Sequence, residues 1–534
     1  MYMYHPQMDS PLNTTSPLNT TSAVLASAVA FMSTAQRNAW ANVLNALNGG
    51  KIVSFVMIGG SMARGQGCTQ EPNEMDACAY AARVAAHLRA SYPQARILFE
   101  NRAVGGMTTG GALLSLPTLS LPVSAEDSDD SASASMLLVD YAVNDNFEPQ
   151  SLWTNQRKRE DLGTYQQLKT HLKRFDLGEQ VHRSVAAATE AMLRYLLEHR
   201  PQTAVMIVEG TCWRSQTRRT HEAHRRVARY YGVPSFDFID SLRLDIAPQS
   251  TLWTKLPPGN DVCRACIRPK KQCEHSSFPT LFSDGKHPDG RGHQLVADAL
   301  VALLTSWWRN DELLRIAREQ QRRAFSSTEL LNGVAHSTAR ASRASGVLLS
   351  RRAVSLALLP PITDRELLAQ HTVCASPTTL HAAASPSPHP NVAIESGWRW
   401  YEDRPGKPGW ISTGPNGSAI EFGVQFGLAP RLTLMWTLGY EGFARAAISF
   451  NSERNRHRVK LIDGLRTDGL NATQVAVLDM DVGHMHHGSR LDLAYGVAGW
   501  SIKPRSSERF RVEMLCRGEG ERCGKFKILA VRAC

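Results

Sequence analysis

The sequence predicts an α/β domain built on a parallel sheet, followed by an all-β domain of the sandwich or jelly-roll class. In the first 310 residues, short apolar runs bounded by turn residues alternate with segments of helical periodicity. The stretch from Ala375 to Pro390 is rich in proline, alanine and serine, which predicts a linker. From Gly397 onward, short alternating segments are separated by turn residues, and no helical pattern intervenes.

These observations divide the chain into four parts. The N-terminal part contains a direct duplication of Ser-Pro-Leu-Asn-Thr-Thr and is predicted to be disordered or to hold a weak signal region. A basic, serine-rich stretch follows the α/β domain and leads into the linker. The predicted parts are residues 1–33 (N-terminal segment), 34–310 (α/β domain), 311–395 (helical and basic segment with linker) and 396–534 (β-sandwich domain).

The elements of the α/β domain follow from periodicity. Strands are expected in short apolar runs, and helices where apolar residues recur every three or four positions. Their alternation predicts a doubly wound parallel sheet. The predicted helices are 34–47, 74–91, 181–199, 221–231, 292–308 and 311–323, and the predicted strands are 53–58, 96–100, the run from Met136 to Asn144-Asp145, 204–208 and 234–238.

Eight short strands are predicted in the second domain, and several aromatic residues lie between or within them. A row of aromatic rings could form a sugar-stacking surface, but for any single ring a place in the sandwich core is favoured. The strands are 420–426, 431–438, 446–450, 458–462, 473–478, 490–495, 510–515 and 526–531, and the aromatic residues are Trp398, Trp400, Tyr401, Trp410, Trp436, Tyr440 and Trp500.

The chain has a net charge of +11 and a pI near 9.2, but this basic balance does not predict a nucleic-acid-binding protein. Arginine and lysine are spread along the chain, and no zinc finger or other nucleic-acid motif occurs. A diffuse positive field suits polyanionic glycans or cell-wall polymers equally well, and simple solubility is a further explanation. No nucleic-acid partner is therefore predicted.

The ten cysteines are compatible with disulfides in an oxidising compartment. Cys516 and Cys523 flank a turn-like segment, and Cys68 and Cys78 are a second local pair. The Ala-rich run before Ser33 lacks the basic residues of a signal peptide, and no run is long enough for stable membrane insertion. We expect the secretory pathway or the extracellular space.

Three groups of potential metal ligands occur, and none predicts a metal. Cys263, Cys266, Cys273 and His275 have an unusual spacing for zinc, so disulfides or free thiols are favoured over a zinc site. A cluster of His484, His486 and His487 has no acidic or cysteine neighbours of defined spacing. His221 and His224 share a helical face without an evident ligand partner, and we expect both on the surface.

The stretch Lys51–Cys68, KIVSFVMIGGSMARGQGC, carries the clearest chemical signal. A buried strand ends at Gly59-Gly60, and Ser61 follows it. A serine at this position exposes its hydroxyl at the carboxyl edge of the sheet, where open α/β sheets place their chemistry.

Three later stretches strengthen this signal. They are Asn101-Arg-Ala-Val-Gly-Gly-Met-Thr-Thr109, the strand that ends in Asn144-Asp145, and Asp284-Gly-Lys-His-Pro288 before a helix. In order and character, these stretches and the serine turn resemble the four blocks of the SGNH (GDSL-type) hydrolase family, over residues 51–308. The resemblance implies a flavodoxin-like three-layer fold, a serine nucleophile and no cofactor.

The resemblance also assigns site residues. Ser61 matches the block I serine, Gly106 the block II glycine, Asn144 the block III asparagine, and Asp284 with His287 the Asp-x-x-His of block V. His287 would take the proton of Ser61, with Asp284 holding its tautomer. The N–H groups of Ser61 and Gly106 and the Asn144 amide would form the oxyanion hole.

Two positions depart from the family pattern. Gly60 stands where the family has an aspartate, and Ala142 stands where it has a glycine. We expect the loss of the aspartate to affect catalytic efficiency more than fold.

The function that this resemblance implies is hydrolysis of an ester, commonly an acetyl ester, on a carbohydrate or polysaccharide. The same residues would also serve an O-acyltransferase. A third hypothesis, supported by Gly60, is a catalytically weak protein that binds cell-surface glycan through its β domain. The sequence leaves the oligomeric state open.

Overall fold

The computed structural model of the chain describes residues 31–69, 74–116, 134–145, 177–210, 215–238, 287–322 and 361–363, and in the second domain residues 378–381, 390–394, 396–403, 408–428, 430–452, 455, 458–465, 474–482, 500–516 and 523–534. Several predictions fall outside these ranges. They are the N-terminal duplication, Asp284, the Cys263–His275 group, the cluster at His484, and the strand at 490–495.

A five-stranded parallel sheet forms the centre of the first domain, as predicted. Its strands are β1 (Ile52–Gly59), β2 (Arg96–Asn101), β3 (Ala134–Asp140), β4 (Thr203–Glu209) and β5 (Ser235–Asp237). They lie in the order β2-β1-β3-β4-β5, the flavodoxin-like order. The order reverses between β1 and β3, so a crevice forms beyond the carboxyl ends of these two strands.

Helices cover both faces of this sheet. The predicted helix 74–91 is two helices, because the backbone of Ala79 is extended (φ −57°, ψ 148°) and interrupts it. A helix over residues 311–322, beyond the predicted domain end at 310, also packs on this domain through Leu313 and Ala317. The other helices are α1 (Thr34–Asn48), α2 (Ser61–Arg64), α3 (Met75–Cys78), α4 (Tyr80–Ser91), α5 (Thr109–Ser115), α6 (Ala142–Asp145), α7 (Leu177–His199), α8 (Ser215–Tyr230) and α9 (Gly290–Trp308).

Side chains of β1 alternate between two apolar clusters, one on each face of the sheet. Val53, Phe55 and Met57 point into the first cluster, which includes α1, α4 and α9. Val56 and Ile58 point into the second, which includes α5, α7 and α8. We call these clusters the first face and the second face. The helices on both faces explain why β1, β3 and β4 read as continuous apolar runs.

Two antiparallel sheets form the second domain, which confirms the predicted all-β class. One sheet has the order β13-β12-β15-β10-β7 and the other β14-β11-β16-β9-β8, with β6 also paired to β16. The strands are β6 (Thr378–His381), β7 (Val392–Ile394), β8 (Trp398–Glu402), β9 (Pro408–Ser412), β10 (Ala419–Gln425), β11 (Arg431–Leu438), β12 (Arg445–Phe450), β13 (Lys460–Asp463), β14 (Gln474–Asp481), β15 (Ser507–Leu515) and β16 (Phe526–Ala533).

The structure corrects the sequence analysis in this domain. β6 lies inside the predicted linker, where Thr378 to His381 pair with the C-terminal half of β16. Strands β7, β8 and β9 were also not predicted. As favoured from the sequence, Trp398, Trp410, Trp436 and Trp500 lie in the core of the sandwich, so they are not available for sugar stacking. Tyr401 and Tyr440 remain exposed.

The two domains share apolar packing. Met435, Val475, Leu529 and Ala530 of the sandwich belong to the same buried cluster as the second face of the parallel sheet. The first face contains no sandwich residue among those described. Of the helices in the described ranges, none is long and apolar enough to cross a membrane.

Candidate active site

Ser61 and His287, which are 226 residues apart in the sequence, meet at the crevice between β1 and β3. Ser61 is the first residue of α2, directly after β1 and Gly60. His287 lies just before α9, whose N-cap Asp289 accepts the N–H groups of Arg291 and Gly292. The Nε2 atom of His287 is 3.0 Å from the Oγ atom of Ser61. Both side chains are buried, and this distance allows the imidazole to accept the hydroxyl proton.

The loop after β2 is tied to the serine helix. The Asn101 amide donates to the carbonyl of Ala63 (3.1 Å), and its Oδ1 accepts the N–H of Ala103 (3.1 Å). Gly106 has φ of +85°, a left-handed conformation that favours glycine. Thr108 then caps α5 by accepting the N–H of Gly111.

The strand predicted to run to Asn144-Asp145 ends at Asp140, and these two residues lie in the helical turn α6. This turn brings the third predicted block to the same place. The N–H groups of Asn144 and Asp145 both donate to the carbonyl of Tyr141, which closes a single turn (3.0 and 3.1 Å). Ala142 is buried in this turn. Asn144 is also buried, and among the described residues no acceptor lies within hydrogen-bond distance of its Nδ2. A buried amide donor of this kind needs an acceptor, and a ligand oxygen could supply it.

Close approach of Asn144 gives a physical reason for Gly60. A Cβ atom on Gly60 would lie 1.9 Å from Nδ2 of Asn144 and 3.3 Å from the carbonyl oxygen of Met107. The amide therefore occupies the space in which any side chain at position 60 would begin. This packing explains why position 60 has no aspartate side chain.

A buried polar network, which the sequence analysis missed, lies behind these loops. His221 and His224 are buried, so the prediction that they are surface residues was wrong. His221 contacts Asp237 (3.2 Å), and His224 lies between Glu209 (2.7 Å) and Asp145 (3.0 Å). Glu209 at the end of β4 and Asp145 directly after Asn144 were the only hints of this network in the sequence. Their spacing from the histidines along the chain does not reveal that they pair with them.

The carboxyl of Asp140, the last residue of β3, is buried beside the turn that carries Ser61. Burial, together with the charge of Glu209, raises its pKa to about 7. Tyr80 donates its hydroxyl to Asp140 Oδ2 (2.8 Å), and the Asp140 carbonyl accepts the N–H of Gly60 (2.8 Å). Asp140 therefore links the end of β3 to the turn that carries Ser61.

Arg64, three residues after Ser61, is buried. Burial lowers the pKa of Arg64, and the carboxylates of Asp76 and Glu402 oppose that shift. Glu402 ends β8, an edge strand of the sandwich. The predicted disulfide between Cys68 and Cys78 is present and closes the loop that follows α2, and the predicted pair Cys516 and Cys523 is also bonded.

The sandwich contacts the Gly106 loop directly. The N–H of Val475, on β14, donates to the carbonyl of Gly106 (3.0 Å). Arg532 of β16 is buried and donates through Nη1 to the carbonyl of Leu113 in α5 (3.2 Å). Both ends of the segment from Gly106 to α5 are therefore held by the second domain.

Comparison of the sequence with family profiles and with curated proteins finds no match. Solved structures are similar at low identity. A two-domain esterase active on acetylated mannans is 14% identical with a TM-score of 0.48, covering 92% of this chain and 93% of that one. Axe2, an acetylxylan esterase from Geobacillus stearothermophilus, is 14% identical with a TM-score of 0.27, covering 48% of this chain and 96% of that one. The esterase EstA from Pseudoalteromonas sp. is 13% identical with a TM-score of 0.25, covering 48% and 99%.

Proposed function

We propose that the chain is a serine esterase of the SGNH type, a hydrolase acting on carboxylic ester bonds. The observation that carries this proposal is the 3.0 Å approach of His287 Nε2 to Ser61 Oγ. The Asn144 amide, buried and without an acceptor among the described residues, lies over the adjacent Gly60.

In the proposed reaction, His287 takes the hydroxyl proton while Ser61 Oγ attacks the ester carbonyl carbon. The oxyanion that forms accepts hydrogen bonds from the Ser61 and Gly106 N–H groups and from the Asn144 amide. The tetrahedral intermediate expels the alcohol, which receives the proton from His287. Water then attacks the acyl-enzyme with His287 again as base, and releases the acid. From its spacing, we propose that Asp284 orients His287.

This proposal is tested with p-nitrophenyl acetate and three variants. Ser61→Ala and His287→Ala should abolish the rate above the uncatalysed background. Asn144→Ala should keep the fold and lose roughly 2.7–4 kcal/mol of transition-state stabilisation, which is about a hundred- to a thousand-fold in kcat. Equal rates for wild type and Ser61→Ala would instead favour a glycan-binding protein without catalysis.

We further propose that the ester is an acyl group, most simply acetyl, on a polysaccharide. Tyr401 of β8 is 47% exposed, and the Arg399 guanidinium lies 4.9 Å from its ring centroid. The charge of the next residue, Glu402, raises the pKa of Arg64, which lies three residues after Ser61. An exposed ring and charged groups on this edge strand suit a sugar chain that extends from the crevice. The two-domain esterase described above acts on acetylated mannans, a substrate of the same class.

The substrate proposal predicts that the aromatic ring matters only for a polymeric substrate. Tyr401→Ala should raise KM for an acetylated polysaccharide by roughly five-fold, equivalent to about 1 kcal/mol of aromatic contact, and leave p-nitrophenyl acetate unaffected. Tyr440→Ala is the matched control, because Tyr440 is similarly exposed (46%) but does not lie on β8. Equal effects of the two variants would contradict the assignment.

A further inference from the structure

Six ionisable side chains form a buried group behind the crevice, and the proposed reaction uses none of them. They lie at the carboxyl ends of β3, β4 and β5, in the turn after β3, and on α8. Within the described residues, no group of such side chains is arranged to hold a metal ion. The six are Asp140, Asp145, Glu209, His221, His224 and Asp237.

His224 is the centre of this group. Its Nδ1 lies 2.7 Å from Glu209 Oε1, and its Nε2 lies 3.0 Å from Asp145 Oδ2. A neutral imidazole has only one N–H, whereas both nitrogens here face carboxylate oxygens, so the ring is an imidazolium that donates twice. Burial lowers the pKa of His224, but the charge of Glu209 and the hydrogen bonds with Asp145 and Glu209 raise it overall to about 10.

Asp145 carries this contact to the two loops that flank the serine. Its Oδ1 accepts the N–H of Thr109 (2.7 Å), and its Oδ2 accepts the Thr109 hydroxyl. Thr109 begins α5, three residues after Gly106, and Asp145 directly follows Asn144. One carboxylate therefore joins the Gly106 loop to the Asn144 turn, and His224 fixes that carboxylate to the end of β4.

We propose that His224 is a positioning residue for the esterase reaction. Through Asp145, it fixes the Gly106 loop relative to the Asn144 turn, and this sets the geometry of the oxyanion donors. The inference rests on the proposed function. His224 does not reach Ser61 or His287, so its removal should affect turnover and not the binding of the ester. Loss of the shared cation would leave Asp145 and Glu209 as buried carboxylates without their common partner, and the turn would shift.

The chain offers a matched control in His221, one helical turn before His224. It is equally buried and lies 3.3 Å from the other Glu209 oxygen, but its second contact is Asp237 on β5. His221 thus shares burial and the Glu209 contact with His224 but does not contact Asp145.

The experiment compares wild type, Ser61→Ala, His224→Asn and His221→Asn as full-length chains with p-nitrophenyl acetate, with thermal unfolding measured in parallel. We expect kcat of His224→Asn to fall roughly thirty- to a hundred-fold with KM within two-fold. His221→Asn should lose similar stability and keep kcat within three-fold. Across these variants, the rate at which a phosphonate ester labels Ser61 should change in proportion to kcat. The tetrahedral phosphonate adduct places an oxygen among the same oxyanion donors.

Thr109→Val tests the inference if His224→Asn does not fold. It removes the hydroxyl contact with Asp145 and keeps the N–H contact, so kcat should fall roughly five-fold. Unchanged kcat in Thr109→Val, or equal kcat losses in the two histidine variants, would overturn the role of His224. If Ser61→Ala is inactive in the same experiment, the proposed esterase function still holds. Equal rates for wild type and Ser61→Ala would overturn both.

Discussion

The two faces of the parallel sheet differ in how they are completed. On the first face, α1, α4 and α9 close an apolar cluster that belongs to one domain, and this face carries Met62 beside the serine and the helix that follows His287. On the second face, the cluster that includes Met107 and Tyr141 continues into the sandwich. The proposed nucleophile and base are thus anchored on the first face, and the loops that carry the other two proposed oxyanion donors, Gly106 and Asn144, on the second. The sandwich can therefore influence transition-state stabilisation without touching the serine.

Removal of the sandwich is the change with the largest expected effect. A chain that ends at Gln370 would expose the cluster around Leu113 that Met435, Val475, Leu529 and Ala530 cover. Burial of a methionine, valine or leucine side chain contributes roughly 1.5–3 kcal/mol, so loss of the packing with Met435, Val475 and Leu529 removes a large part of the stability of a domain. We expect aggregation in size-exclusion chromatography and at least a hundred-fold loss of esterase rate. A monomeric truncated chain with full activity would show that the second face is complete without the sandwich.

Buried histidines on the two faces should give the protein opposite pH sensitivities. His224 on the second face has a pKa raised to about 10 from 6.5, by the causes given above. Its contribution to stability is therefore complete below pH 6.5 and is lost as pH rises through 10. His293 on the first face has a pKa lowered to about 3 by burial and by Arg83, so its contribution is complete above pH 6.5 and is lost as pH falls toward 3.

The measurement is the unfolding free energy as a function of pH. The wild-type value should decrease between pH 7 and pH 10 by at most about 4–5 kcal/mol through His224, which faces Glu209 and Asp145. His224→Asn should flatten the alkaline side, and His293→Asn should flatten the acid side. The assignment fails if either variant changes the opposite side. Asp140 has a pKa raised from 3.8 to about 7, so it changes the unfolding free energy mainly between these pH values, and it does so equally in both variants.

The smallest expected effect concerns a single hydrogen bond between the domains. The Val475 N–H donates to the carbonyl of Gly106. Val475 lies on β14, the last strand of its sheet, so this N–H makes no hydrogen bond to a neighbouring strand. Val475→Pro removes this donor, while Val475→Ala keeps it. A net hydrogen bond of about 0.5–1.5 kcal/mol corresponds to roughly two- to ten-fold in kcat. If the alanine and proline variants have equal kcat, the bond does not support the Gly106 loop.

The sequence predicted the parallel sheet because its central strands are apolar throughout. It also predicted most sandwich strands, since Arg431–Leu438 and Ala419–Gln425 have clear strand character. It missed β6 because a four-residue edge strand in a segment rich in serine and alanine has too few apolar residues to show a pattern. β8 was missed because Tyr401 directly follows Trp400, which breaks the alternation after Trp398 and Arg399.

The candidate site was only partly predictable. Ser61, Gly106, Asn144 and His287 could be selected because the stretches that hold them resemble, in order, the blocks of the SGNH pattern. His224 could not, because it lies on an arginine-rich helix that reads as a solvated face, and its partners are 15 and 79 residues away. The reason for Gly60 also depends on a contact with Asn144 that only the folded chain creates.

The shared packing between the domains has a consequence for protein engineering. A chimera that joins this α/β domain to a foreign carbohydrate-binding module would lack the partners of α5 unless the new module supplied them. Residues equivalent to Val475 and Arg532, together with the apolar patch around Ala530, would have to be transplanted along with it. Recombination of these two domains is therefore a problem of interface design and not of linker length.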